Sequence, residues 1–263
     1  GYEAAKRAVG NSTFDDGVMI GTYAGQNAVY GTSSVFIGSS AGKGGAQEAV
    51  AIGTQALSRT VWSTSDGLQG GSLSVAMGMF AGLNITSGIY NLAIGPYSVG
   101  HPSGSLALTG YSNVMVGDNT GTYLTGNASS NTALGSSAMY GDGDITGNSN
   151  VCLGASSGNA ISSGSNNVFV GSGAGGSYIT TGSGNLFLGD SAGADLAANL
   201  SNNIVLSTSL GSTKLRFNDV SWGACGGIAT GSGLNGSTTV CPTPFSAAYF
   251  RAQGSLTPAS TQY

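Results

Sequence analysis

Residues 167 to 175 read Asn167-Val168-Phe169-Val170-Gly171-Ser172-Gly173-Ala174-Gly175. Three consecutive bulky apolar residues, two of them β-branched, form a short strand. The glycine that follows marks a corner, because only glycine adopts a positive φ freely. The small residue three places later, Ala174, lets neighbouring layers approach. The same grammar recurs along the chain at Gly21, Gly38, Gly53, Gly78, Gly95, Gly117, Gly135, Gly154, Gly171 and Gly189. Three places after these stand Ala24, Ala41, Ala56, Ala81, Ser98, Thr120, Ala138, Ser157, Ala174 and Ala192, every one of them small. The interval between corner glycines runs from 15 to 25 residues and is mostly 17 to 19.

A fixed-period unit of strand, corner and turn is one coil of a repeat architecture, in which each coil buries its apolar face against the next. The expected fold is an all-β, parallel β-solenoid of about ten to eleven coils over residues 1–207, followed by a non-repeat segment over 208–263. At about 4.8 Å per stacked strand, ten coils span on the order of 50 Å. A final degenerate copy, Ile204-Val205-Leu206, has Ser207 in place of the glycine. Gly1 and Ala4 stand three places apart, as within a coil, which leads us to expect more of the protein upstream. The longest insertion, Ser58 to Ser72 with Trp62 inside it, is expected to loop out as a surface lobe. Seven strands are preceded by asparagine, at Asn91, Asn113, Asn131, Asn150, Asn167, Asn185 and Asn203. Asparagine tolerates left-handed turns and can bond its equivalents above and below in a stack, so these are read as turn formers.

Successive strand side chains face opposite sides. The middle residues of the triplets therefore share a face, and all of them are apolar, including Met19, Phe36, Met115, Cys152, Phe169, Phe187 and Val205. A strand apolar on both sides is buried on both sides. A second solenoid layer within the same chain is the alternative, but the rungs read as too short to supply it. The expectation is that the middle residues form an intersubunit face, because an apolar stripe of this length marks an interface and self-association closes it.

Composition limits the function. Glycine occurs 47 times and charged residues make up 7% of the chain, yet the hydrophobic fraction is 40% and the formal net charge only −4. That is too apolar and too weakly charged for a disordered chain. No Lys or Arg lies between Arg59 and Lys214. Nucleic-acid binding, which needs cations against phosphates, is excluded on that ground. No apolar run reaches the roughly 18 residues of a membrane helix.

Catalysis is not expected. The single histidine, His101, sits beside Pro102 in a variable loop, and carboxylates cluster only at Asp15-Asp16 and Asp142-Gly143-Asp144. The second cluster resembles a calcium loop but lacks the closing bidentate glutamate, so no metal is assigned. The Gly-x-Gly strings precede no helix and are not phosphate cradles, and no cofactor is expected. A polysaccharide-degrading spike would need a cleft with paired acids. An ice-binding face would need a regular threonine row, whereas the position after the corner glycine varies from Thr22 and Met79 to Pro96 and Asp118.

The string 167–175 resembles the head repeats of trimeric autotransporter adhesins, in which apolar-Gly-x-x-Ala recurs. The longer form, Ile179-Thr180-Thr181-Gly182-Ser183-Gly184-Asn185-Leu186-Phe187-Leu188-Gly189, is similar to phage tail-fibre repeats. The similarity covers residues 1 to about 207. It implies a left-handed parallel β-roll assembled as a homotrimer. The implied role is attachment, as a stiff shaft or head that presents a surface to a host glycan or protein receptor. Adhesin heads have shorter, more regular repeats, and no heptad stalk follows here. The virion tail, with neighbouring tail proteins as partners, is therefore the expected setting. A bacterial cell-surface adhesin head is the alternative.

Beyond Ser207, Lys214-Leu215-Arg216-Phe217 alternates as a strand, and loops with Trp222, Cys225 and Cys241 follow. The segment reads either as a cap over the open solenoid end or as a receptor-contacting tip with Trp222, Tyr249 and Phe250 as candidate contacts. The spacing of Cys225 and Cys241 fits a disulfide or two free thiols.

Overall fold

The computed structural model describes residues 17–26, 33–44, 46–59, 71–100, 107–141, 143–176, 179–194, 196–207, 213–218 and 228–229. The chain is a parallel β-solenoid. Its strands are β1 (Val18–Ile20), β2 (Val35–Ile37), β3 (Val50–Ile52), β4 (Val75–Met77), β5 (Leu92–Ile94), β6 (Val114–Val116), β7 (Thr132–Leu134), β8 (Val151–Leu153), β9 (Val168–Val170), β10 (Leu186–Leu188) and β11 (Asn203–Ser207). They pair in sequence order, each parallel to the next. Register is strict: Phe169 faces Phe187, and Phe187 faces Val205. Two further strands, β12 (Thr213–Asn218) and β13 (Ile228–Ala229), extend the sheet in the antiparallel sense.

Two constraints hold each corner glycine in place. All ten have φ between 115° and 142°, a region closed to side chains. A β-carbon on Gly154 would also stand 2.6 Å from the carbonyl oxygen of Gly171 in the next coil. Backbone bonds tie coil to coil on both sides of the corner, as in Gly38 N–H to Ile20 O at 2.8 Å and Ser40 N–H to Thr22 O at 2.8 Å.

The small residues after the corners are all fully buried, and their polar members are paired. Ser98 Oγ donates to Met115 O at 3.1 Å, Thr120 Oγ1 to Gly135 O at 2.8 Å and Ser157 Oγ to Phe169 O at 3.1 Å.

The core lies between the sheet and the returning half of each coil, and here the sequence expectation is corrected. The middle strand residues Phe36, Met115, Cys152, Phe169, Phe187 and Val205 are fully buried within a single chain, and Met19 is packed against the same core. They are not an intersubunit face. The return wall carries its own apolar row, Ile85, Leu108, Leu124, Ile145, Ile161, Ile179 and Leu196, which covers them. Isolated parallel bridges join part of that wall, Ile85 to Leu108 and Leu124 to Ile145.

Size reciprocity fills the space inside most coils; the exception is the β4 coil, where Ala76 is followed six places later by Gly82 and the space is met by Leu57 and Ile85. Where the middle residue is large, as at Phe36, Met115, Phe169 and Phe187, the residue six places later is glycine: Gly42, Gly121, Gly175 and Gly193. A β-carbon on Gly175 would stand 2.6 Å from the Phe169 ring. Where the middle residue is Ala51, Ala93 or Ala133, that later position carries Leu57, Val99 or Met139, all fully buried. These three hold φ near 50°, a left-handed conformation costly for a β-branched residue such as Val99. Filling the core outweighs that strain.

Candidate binding surfaces

With the middle residues turned inward, the outer two of each triplet face out. They make two columns along the sheet: Val18, Val35, Val50 and so on to Ile204, and Ile20, Ile37, Ile52 and so on to Leu206. Thr132 is the one polar residue among these columns. None of these residues is buried. Ile20 is 56% exposed and Leu134 51%. Two side chains wide and eleven strands long, the strip covers on the order of 500 Å² at ordinary strand spacing. That is as large as the largest apolar patch of a typical soluble monomer.

A second surface is formed by the turn beyond each corner. The second residue after the corner glycine is left-handed in every copy, with φ between 51° and 63°, so these residues project as one row. The fifth residue lies beside it, half-buried at Lys43, Ser58, Tyr140 and Asn159 but buried at Leu83, Gly100, Thr122 and Gly176. Two hollows lie between the rows. One, about 290 Å³, is lined by Ser40, Lys43, Gly44, Gln55 and Ser58. The other, about 430 Å³, is lined by Asn119, Ser137, Tyr140, Ser156 and Asn159. Between them the projecting row carries Phe80 and Tyr97, stacked with centroids 5.2 Å apart. Tyr140 packs edge to face against Tyr123 at 5.3 Å.

The asparagines introducing the strands belong to neither surface. They are buried and form a continuous spine. Asn150 Nδ2 donates to Asn131 Oδ1 at 3.1 Å and to Gly164 O at 2.9 Å. Asn150 Oδ1 in turn accepts from the backbone and side-chain nitrogens of Asn167, both at 3.0 Å.

Among the described residues no group of three or more His, Cys, Asp or Glu is placed to hold a metal ion. Cys152 is a free, buried thiol, and desolvation pushes its pKa up to about 12. Such a thiol is a core residue rather than a nucleophile. Asp144 is exposed. The position after the corner glycine is exposed at Thr22, Met79, Pro96 and Asp118, whose chemistry is as irregular in space as in sequence. His101, Trp62, Asp142, Trp222, Cys225, Cys241, Tyr249 and Phe250 lie outside the described residues, as do Asp15 and Asp16.

The two turn rows escape a reading of single repeats because their residue types vary from coil to coil. Only the fixed offset from the corner glycine unites them. No family model matches the chain, and neither a curated protein nor a solved structure is significantly similar to it.

Proposed function

We propose that this chain is a structural and adhesive fibre segment of a phage tail, a rigid shaft or head that assembles as a homotrimer and presents a surface to the host cell. The observation that carries the reading is the two-column apolar strip on the flat face of the sheet. A strip parallel to the rod, present on every copy, closes by rotation about an axis along the rod. The choice of three copies rests on the resemblance of the repeats to trimeric adhesin heads and tail fibres. Rigidity follows from the coil-to-coil ladder of backbone bonds and the buried asparagine spine, which leave little freedom to bend without breaking several bonds together.

Light scattering of the purified chain tests the assembly. The expected mass is three times the 25.7 kDa of one chain. A monodisperse monomer would overturn the reading, since the strip would then stand in water with no partner. Adhesion of the fluorescently labelled assembly to a panel of bacterial cells tests the attachment role, with binding to a subset of strains expected and binding to none the contrary result.

A further inference from the structure

We propose that the groove lined by Asn119, Ser137, Tyr140, Ser156 and Asn159 binds a neutral linear glycan lying along the rod. This deepens the attachment reading and rests on it.

The groove is built from equivalent positions of successive coils. Asn119, Ser137 and Ser156 are the second residues after Gly117, Gly135 and Gly154, while Tyr140 and Asn159 are the fifth after Gly135 and Gly154. Equivalent backbone positions, carrying different polar side chains, therefore repeat at the strand spacing of about 4.8 Å. That is close to the length of one pyranose unit in an extended chain, so consecutive sugars advance in step with consecutive coils.

The polar lining includes an uncommitted amide. Asn159 Oδ1 is buried without a hydrogen-bond partner, whereas the spine asparagines are bonded coil to coil. It faces the place where Gly176 lacks a side chain: a β-carbon there would stand 3.4 Å away. In that next coil both rows carry glycine, Gly173 and Gly176, and no side chain from either reaches the Asn159 amide. The Asn159 amide can turn to a ligand hydroxyl without giving up a bond at its oxygen.

Aromatic rings supply the other half of sugar recognition, an apolar face with a polar rim. Tyr140 lies in the groove, and the stacked Phe80 and Tyr97 continue the Asn119 row toward the first hollow. Charge selects against an acidic ligand. No Lys or Arg lies between Arg59 and Lys214, and Asp118, which accepts from Asn119 Nδ2 at 2.9 Å, stands at the rim.

Saturation-transfer NMR with cellohexaose, chitohexaose, mannohexaose and a heparin hexasaccharide tests the site on the full chain. At least one neutral hexasaccharide is expected to bind and the heparin fragment is not. Asn159→Ala should weaken the binding at least tenfold with an unchanged melting temperature, because its side-chain oxygen supports nothing in the fold. Tyr140→Ala should weaken it similarly. Absence of neutral binding, equal binding of heparin, or an Asn159→Ala effect under twofold would each overturn the site. Bacterial adhesion of the same variants separates the two readings. Adhesion that persists while no hexasaccharide binds removes the groove and keeps attachment; hexasaccharide binding without adhesion to any strain does the reverse.

Discussion

At the level of single residues, the strongest constraint is the asparagine spine, because its members are buried and each depends on the next. Asn150→Ala would strand the Asn167 backbone and side-chain donors and the Gly164 carbonyl, at a cost of about 2–4 kcal/mol. Asn150→Asp should be worse at neutral pH, since a carboxylate has no donor for Asn131 Oδ1 or Gly164 O and would be charged in the core. Burial raises the folded-state pKa of such an acid, so its native form is the protonated one. Thermal melting of Asn150→Asp should therefore improve as the pH falls toward 4, while Asn150→Ala shows no such trend. Cys152 gives a second test at this scale. Its folded value near 12 lies above the ordinary 9.0, so its contribution is fully present below pH 9 and is lost as the pH rises from there toward 12. In a Cys225→Ser, Cys241→Ser background, Ellman's reagent should leave it unmodified in the native protein at pH 8 and modify it once the chain is unfolded. Rapid native labelling would contradict its burial.

Within one coil, the unit of folding is the strand together with the residue six positions beyond its centre. Phe169→Ala should cost about 3–5 kcal/mol, because the cavity it leaves faces Gly175 and has nothing to fill it. Gly175→Met alone should also destabilise, since its side chain would enter the Phe169 ring. Combining them recreates the Ala133 and Met139 arrangement, so the double variant should be markedly more stable than the sum of the single effects. A double-mutant cycle by thermal or chemical unfolding measures the difference, and simple additivity would sink the reciprocity. This pairing also marks how far the fold was legible. Val168-Phe169-Val170-Gly171 disclosed the strand, the corner and the solenoid, because β-branched triplets and corner glycines answer to local conformation. Which side of the triplet is the inside does not follow from alternation, which yields two faces and no preference between them. The missing signal was the inverse variation of Phe169 with Gly175 and of Ala133 with Met139. The second was the apolar row through Ile145, Ile161 and Ile179, which supplies the return wall. The groove was hidden for a different reason: Asn119, Ser137 and Ser156 are unlike one another, and only the common backbone turn aligns them.

For the whole rod, inverting the faces changes what assembly must bury. The rings of Phe36, Phe169 and Phe187 are satisfied inside one chain, so a single copy can hold its coils together without a partner. What it leaves in water is the strip of Val, Ile and Leu on the flat face. Strand ends pose the complementary problem, since an open parallel edge recruits other strands. At the C-terminal end β12 lies antiparallel on β11, with Leu206 opposite Leu215, and so meets that edge with a strand that cannot continue the parallel repeat. At that end the parallel repeat is closed, and the apolar strip along the side of the rod is the surface left for ordered association. Leu134→Asp combined with Val114→Asp puts two charges in the middle of the strip at positions 51% and 37% exposed. Each aspartate would be solvated in a lone chain but desolvated beside its equivalents in an assembly. Size-exclusion chromatography with light scattering should report the mass of one chain for this variant. Circular dichroism should keep the β signature of the parent, because neither position supports the core. An unchanged oligomeric mass would show that the copies meet elsewhere, and loss of the β signature would show that the strip holds the coil itself together.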